Sequence, residues 1–363
     1  MRVLVAMSGG VDSSVAAALL VDRLGAGQVV GATLKLWGGA SDSGCCSVAD
    51  TEDARRVADR LGITHHVFNF SADFDERVVT PYVEGHARGT TPNPCIECNR
   101  HLKFDRLVRR ARSLGFDAVA TGHHARVGVG ASGRFELRRG ADAAKDQSYV
   151  LSMLDQGHLA RTLFPIGALR KDEVRGEAAR RGLRTATKPD SQDVCFIRRD
   201  QGRDAFLADR LQLRRGRMVD GRSGEDLGPV DAVELVTVGQ RRGMGHGTDG
   251  RRRYVTAVDI GRRTVTVGPP EDALAGEARL WSLSWVDGPP AGLGDGDGGG
   301  DGLAAVGQCS AHGRPVPCHL LRAGVGGLTV RFDRPERRVA PGQTVALYAA
   351  ADPDRVLGSG IAR

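Results

Sequence analysis

Ser8-Gly9-Gly10-Val11-Asp12-Ser13-Ser14 follows a short apolar run and precedes a helix-forming one. A glycine-rich turn between a strand and a helix N-terminus aims backbone N–H groups, and the positive end of the helix dipole, at an anion. Two glycines allow close backbone approach, and three hydroxyls are placed to meet phosphate oxygens. The run has neither the Gly-Lys-Ser/Thr ending of a Walker loop nor the G-x-G-x-x-G of a dinucleotide fold, so neither γ-phosphoryl transfer nor hydride transfer is favoured. Pyrophosphate held here suits α–β cleavage of ATP, in which a carbonyl oxygen is adenylated and becomes a leaving group.

Thiols are the second chemical signal. Cys45, Cys46, Cys95, Cys98, Cys195, Cys309 and Cys318 make an odd count. With no export-type segment ahead of them, they argue for metal ligands or nucleophiles rather than a disulfide framework. TPNPCIECN puts Cys95 and Cys98 in a proline-pinned loop that is expected to end where Asn99 caps a basic helix. A thiol so placed is expected to be a nucleophile. KPDSQDVCFI delivers Cys195 between two strand-like or loop segments. C-x-x-C together with the Cys45-Cys46 pair is also a ligand set for zinc or an iron–sulfur cluster. Cys309 and Cys318 read as structural thiols.

These residues need a scaffold, and the chain supplies a regular one. RVLVAM, QVVGATLKLW, THHVFNF and DAVATGHHA read as short buried strands. Between them lie helical patterns over Val11 to Leu24, TEDARRVADRLG and RHLKFDRLVRRARSLG, with a further helix at KDEVRGEAARRGL. Strands alternating with helices of this length predict an α/β, doubly wound parallel sheet, whose ligands sit beyond the carboxyl ends of the strands where strand order reverses. The phosphate turn, Cys45-Cys46 and TGHHA all fall at that edge. From about Gly216 the pattern becomes β-rich (RMVDG, VELVTVG, RRYVTAVDI, TVTVGPP, ARLWSLSWV, GLTVRF, QTVALYA), interrupted by a Gly/Asp-rich stretch over 287–302 that reads as a flexible loop. The expected division is a catalytic domain over 1–199 and two small β domains over 200–273 and 274–363.

Composition bounds the partners. The 363 residues carry 51 Lys+Arg against 44 Asp+Glu, a net charge of +7, compatible with a polyanionic partner. Only five of the basic residues are lysines (Lys35, Lys103, Lys145, Lys171 and Lys188), a bias that GC-rich coding explains. No apolar run approaches the length of a bilayer span or of a secretory signal, so the expectation is a cytoplasmic protein without membrane attachment.

SGGVDSS resembles the signature of the ATP pyrophosphatases, the PP-loop superfamily. TPNPCIECNRHLKFD, ATGHHA, KDQSYVLSML, KPDSQDVCFI, TVGQRRGMG and RRVAPGQTVALY follow it in the order found in the tRNA-specific 2-thiouridylases, over nearly the whole chain. The resemblance implies an adenine nucleotide alpha hydrolase-like sheet, ATP and Mg²⁺, tRNA as substrate, and a cysteine desulfurase or sulfur-relay protein as sulfur donor. Carried over, Cys98 resembles the family's nucleophile and Cys195 its persulfide carrier. Ala6, Met7, Ser8, Gly9, Gly10, Val11, Asp12, Ser13, Leu34 and Gly122 fall where the family binds ATP. Asn93, Pro94 and Cys95 fall at the target base; His123, Lys145, Asp146, Gln147, Ser310, Ala311 and Gln343 fall at tRNA contacts. Read from the residues alone, His123 and His124 also suit polar strand ends, Lys145 a surface charge and Gln343 a turn.

Two positions depart from the family's pattern. Cys95 stands where well-known bacterial members have an Asp proposed as general acid or base, and Ser310-Ala311 stands where Arg-Tyr is frequent. Two other readings use the same residues differently: another PP-loop tRNA-modifying ligase would not need Cys98 and Cys195, and a metal or iron–sulfur RNA-binding protein would use the nucleotide for regulation.

Overall fold

The structure is a computed structural model and describes residues 1–37, 48–190, 194–197, 201–247, 249–295 and 302–363. Its first strands are β1 (Val3–Ala6), β2 (Val29–Lys35), β3 (His65–Asn69) and β4 (Ala118–Ala120), then the antiparallel hairpin β5 (Ala125–Val129) and β6 (Phe135–Arg139), then the short β7 (Thr162–Leu163). Five of them form an all-parallel sheet in the order β3-β2-β1-β4-β7. β1 lies at the centre, and the chain leaves it for β2 on one side and later returns to β4 on the other. The strand order therefore reverses at the carboxyl end of β1, where such sheets bind ligands.

Both faces of the sheet are covered, which is why β1 reads as an unbroken apolar run. Val3, Val5 and Met7 point into one cluster with Val15, Ala16, Ala17 and Leu20 of helix α1 (Val11–Leu24) and Ala54, Val57 and Ala58 of helix α2 (Val48–Leu61). Leu4, with Ala32 and Leu34 of β2, faces the other cluster, built from Phe70, Phe74, Tyr82, Leu102, Phe196 and Phe206.

The β-rich remainder forms two further sheets. β8 (Gly216–Asp220), β9 (Asp226–Val230), β10 (Tyr254–Asp259) and β11 (Thr264–Gly268) pair in the order β10-β11-β8-β9 around Val233, Val236, Val255, Val265 and Val267. The last strands are β12 (Leu274–Trp285), β13 (Gly294–Asp295), β14 (Leu303–Gln308), β15 (Val316–Ala323), β16 (Gly327–Arg337), β17 (Thr344–Ala349) and β18 (Val356–Ala362). Six of these close into a barrel, because β15 pairs both β14 and β16 in the cycle β15-β14-β17-β18-β12-β16. β13 adds to the outside of β15.

Local structure departs from the sequence expectation in three places. VELVTVG forms no strand: Val233–Leu235 is a single 3-10 turn, whose three-residue period sends Val233 and Val236 to the same core while the Glu234 carboxylate accepts from the Arg214 guanidinium at 2.7 Å. A helical run over 71–87 has no counterpart in the sequence expectation. The π-helical turn Asp75–Val79 just ahead of Pro81 shifts the carbonyls that a proline ring would strike. Finally, the cysteine-bearing helix starts at Pro94, five residues before Asn99. Part of the Gly/Asp-rich stretch expected to be a flexible loop, residues 296–301, lies outside the described residues.

Candidate active site

Gly9 is the residue that shapes the phosphate turn. Its φ is +71°, and a Cβ there would lie 2.1 Å from the Asp50 carbonyl oxygen, so only glycine fits. Gly10 is the N-cap of α1 and supplies no side-chain cap. The N–H groups of Val11, Asp12 and Ser13 open the helix and have no carbonyl of their own helix to bond. They therefore suit an anion arriving at the sheet edge. Gly122, after β4, packs so tightly on this helix start that a Cβ would lie 2.5 Å from the Ser13 nitrogen. Leu34 is buried near the carboxyl end of β2, and Met7 lies under the turn.

The three hydroxyls do not all face outward as the sequence suggests. Ser14 Oγ donates to the Gly10 carbonyl at 2.8 Å and Ser13 Oγ donates to it at 3.1 Å. The Ser8 N–H donates to Ser13 Oγ at 3.2 Å. Short hydroxyl side chains at a helix start bond back to nearby carbonyls, so only Ser8 stays exposed and the other two brace the turn.

Charge around the turn is arranged by Asp12, His124 and Lys145 together with residues that sequence reasoning did not place in the site, Lys171, Lys188, Asp50, Asp53 and Asp190. Asp12 accepts from Lys171 Nζ at 2.7 and 2.8 Å and lies 3.3 Å from His124 Nε2. Burial pushes its carboxyl up, but the bonds from His124 and Lys171 outweigh this and hold it below the ordinary carboxylate value. Lys171 also reaches Asp190 Oδ1 at 2.9 Å, and Lys145 Nζ donates to Asp190 Oδ2 at 2.8 Å. Asp190 is likewise pushed up by burial and pulled down further by Lys145 and Lys171, to about 2. On the other side of the turn, Lys188 Nζ donates to the Gly9 carbonyl at 3.0 Å, to Asp50 at 2.6 Å and to Asp53 at 2.7 Å. Burial works against the Lys188 charge, yet Asp50 and Asp53 raise its pKa. The signal that could have found Lys145, Lys171 and Lys188 together was the scarcity of lysine itself.

The thiols sit on a different element. Asn93 Oδ1 accepts from the Cys95 N–H at 3.1 Å and the Ile96 N–H at 3.4 Å, which makes Asn93 the N-cap, with Pro94 next in the first turn. The helix runs over 94–113, so Cys95 and Cys98 are helical rather than in a loop. Asn99, expected to be the cap, lies inside this helix and donates Nδ2 to the Val150 carbonyl at 2.9 Å. The reason is that Asn93 precedes a proline and Asn99 does not, and a proline at the first helical position leaves no orphan N–H there. Cys95 is exposed, and Cys98 is buried in the apolar cluster under the sheet. Cys195 packs half-buried against that same cluster beside Phe196, whose ring touches those of Trp37, Phe74, Tyr82 and Phe206. Cys98 and Cys195, far apart in sequence, thus share one cluster.

Other expected contact residues prove to have internal partners. The His123 ring lies between Phe104 and Phe164 and bonds Thr121 at 2.6 Å, and burial pushes its pKa well down. Asp146 accepts from Arg139 at 2.7 Å and from Ser148, and Gln147 Oε1 accepts from the His124 N–H at 2.9 Å. Gln343 Nε2 donates to the Thr91 carbonyl, while the Thr91 N–H donates to Pro341 at 2.7 Å, so the barrel is fastened beside the Asn93 cap. Ser310 is exposed and Ala311 half-buried, and their carbonyls accept from Gln308 Nε2. Cys309 and Cys318 lie in the barrel, where burial pushes the thiols up to about 11 and about 12. Among the described residues no three His, Cys, Asp or Glu side chains converge as a metal site, and none of the helices is long and apolar enough to cross a membrane. Cys45 and Cys46, the other half of the zinc or cluster ligand set, lie outside the described residues.

A parallel α/β sheet with a phosphate-cradling turn at its switch point, followed by two β modules, defines a nucleotide-binding α/β enzyme with accessory β units. Family models match in that order: the tRNA methyl transferase HUP domain over residues 1–199, the tRNA methyl transferase PRC-barrel domain over 204–269, and the aminomethyltransferase beta-barrel domain over 279–362. Relatives named tRNA-specific 2-thiouridylase MnmA are similar along their whole length. That of Mycolicibacterium smegmatis is 47% identical over 98% of this chain and 96% of its own. That of Mycobacteroides abscessus is 45% identical over 99% of each, and that of Chloroflexus aurantiacus 43% identical over 99% of this chain and 97% of its own. The chain belongs to the tRNA-specific 2-thiouridylase family.

Proposed function

We propose that the protein replaces O2 of the wobble uridine of tRNA with sulfur, consuming ATP and releasing AMP and pyrophosphate. The observation that carries this reading is the pairing, in one domain, of a phosphate-cradling turn at the switch point with two thiols on a single apolar cluster. An adenylating ligase would need only the turn.

ATP places its phosphates on the N–H groups of Gly9 to Ser13, with Ser8 at the rim. Mg²⁺ carried in with the phosphates would neutralise part of their charge. The uridine leaves the anticodon stack to reach the site. Its O2 attacks the α-phosphorus, pyrophosphate leaves, and O2 is now bonded to AMP. The terminal sulfur of a Cys195 persulfide, loaded beforehand by a sulfur donor, attacks C2 and AMP departs with the oxygen. The Cys98 thiolate then attacks the Cys195 sulfur, releasing 2-thiouridine and leaving a Cys98–Cys195 disulfide that an external dithiol reduces. Asn93 and Pro94 fix the turn from which Cys95 meets the base, and a thiol there, in place of a carboxylate, leaves water to carry protons.

The test is mass analysis of nucleosides from tRNA incubated with the protein, ATP, Mg²⁺ and a persulfide source. We expect 2-thiouridine and AMP in equal amounts. Cys98→Ser and Cys195→Ser should each abolish 2-thiouridine yet retain tRNA adenylation, with only Cys195→Ser failing to accept sulfur. Full thiolation by Cys195→Ser would overturn the relay.

A further inference from the structure

Lysine is scarce in this chain, five residues against 46 arginines, yet two of the five, Lys171 and Lys188, bond the phosphate turn and a third, Lys145, shares Asp190 with Lys171. Arginine's planar fork grips a carboxylate with two parallel bonds, whereas lysine is a compact charge on a flexible stem that exchanges partners readily. Positions that keep lysine against such a bias are positions where exchange is useful.

Lys171 is the centre of that exchange. Its ammonium has three protons and three short contacts: Asp12 Oδ1 at 2.7 Å, Asp12 Oδ2 at 2.8 Å and Asp190 Oδ1 at 2.9 Å. A phosphate oxygen entering the turn can be bound by this ammonium only if a carboxylate lets go. Asp12 belongs to the phosphate turn, and Asp190 belongs to Lys188-Pro189-Asp190, the stretch that leads five residues on to Cys195. One ammonium therefore bridges the nucleotide element and the thiol element. Lys145 is the second mobile partner of Asp190, at 2.8 Å with its side chain 40% exposed. Arg175 is the fixed one, holding the Ala186 carbonyl at 2.7 Å, the Lys188 carbonyl at 3.1 Å and Asp190 at 2.9 Å.

We propose that Lys171 and Asp190 are positioning residues that couple occupancy of the phosphate turn to presentation of Cys195. Incoming polyphosphate, which outbids single carboxylates for charge, draws the Lys171 and Lys145 ammonium groups off Asp190. Asp190 is left to Arg175, the stretch over 188–190 is held less firmly, and Cys195 becomes more reactive. The sulfur carrier is then presented only when ATP is in place to activate its target. This inference rests on ATP binding at Ser8 to Ser13.

The experiment follows alkylation of Cys195 by iodoacetamide in the full-length protein, resolved by peptide mass spectrometry, with and without α,β-methylene-ATP and Mg²⁺. Calorimetry on the same samples reports binding of the analogue. In the wild type the analogue should bind and speed alkylation by about fivefold or more, the range of ordinary site-to-site coupling. Asp190→Asn should bind the analogue yet alkylate quickly whether or not it is present, and Asp190→Glu should restore the response. Binding of the analogue with unchanged or slowed alkylation of wild-type Cys195 overturns the coupling while leaving the phosphate turn intact. Failure of the analogue to bind removes the reading of the turn and the coupling with it. The wild-type comparison decides the matter even if a variant does not fold.

Discussion

Asp190 accepts from Lys145, Lys171 and Arg175 in a partly buried position, and its carboxyl is held at about 2 against 3.8 for the ordinary group. A carboxyl whose folded value lies below its unfolded one contributes stability that is complete above the unfolded value and is lost as pH falls through the folded one. The three ion pairs should therefore support the fold at neutral pH and stop doing so between about pH 4 and pH 2. Urea midpoints measured against pH should show Asp190→Asn less stable than wild type at pH 6, with the gap closing as pH approaches 2. A gap that persists unchanged at pH 2 would mean that the aspartate matters through shape rather than charge.

Two elements carry the candidate chemistry, and each depends on one residue at its start. The phosphate turn depends on Gly9, whose positive φ and 2.1 Å approach to Asp50 leave no room for a methyl group. Gly9→Ala should destabilise the fold by about 1–3 kcal/mol, the usual cost of a strained backbone position, and reduce nucleotide affinity. Thermal melts and calorimetry with the ATP analogue check both parts. The thiol helix depends on Asn93, which caps its first turn through two N–H groups. Asn93→Ala should cost about 1 kcal/mol in urea unfolding. It should lower thiolation more than tRNA adenylation, since the cap positions Cys95 and Cys98 and not the phosphates. Equal losses in both assays would argue against that division.

At the scale of the whole molecule, the C-terminal barrel is built into the catalytic domain. Ile96, Phe104 and Tyr149 share a cluster with Val286, Ala346, Tyr348 and Val356, and the Tyr149 hydroxyl donates to the Thr344 carbonyl at 2.8 Å. The Arg139 guanidinium lies 3.7 Å over the Tyr348 ring. The helix that carries the thiols is thereby fixed from both sides, by the sheet and by the barrel. The net charge of +7 belongs to this whole surface. Binding of tRNA should weaken with salt along a log–log slope of about −0.9 per phosphate neutralised. A titration between low and moderate salt with no change in affinity would reduce the arginine excess to coding bias.

Much of this was written locally in the chain. The alternation of apolar strands and helices, the Gly-Ser turn and the two thiol motifs are short-range patterns, and a strand or turn of a few residues is set by its own backbone preferences. The parallel sheet and the position of the turn at its edge followed from them. What the sequence reading missed were two local choices and one set of pairings between distant residues. That Asn93 rather than Asn99 caps the thiol helix depended on which residue preceded a proline at the true helix start. The inward turn of Ser13 and Ser14 was settled by a carbonyl they could reach only once α1 had formed. Lys171 and Asp190 looked like ordinary helix and loop charges until the fold set one ammonium between Asp12 and Asp190. Sequence determines what each element can be; ion pairs between elements depend on distances that exist only when the sheet, the helices and the barrel have packed.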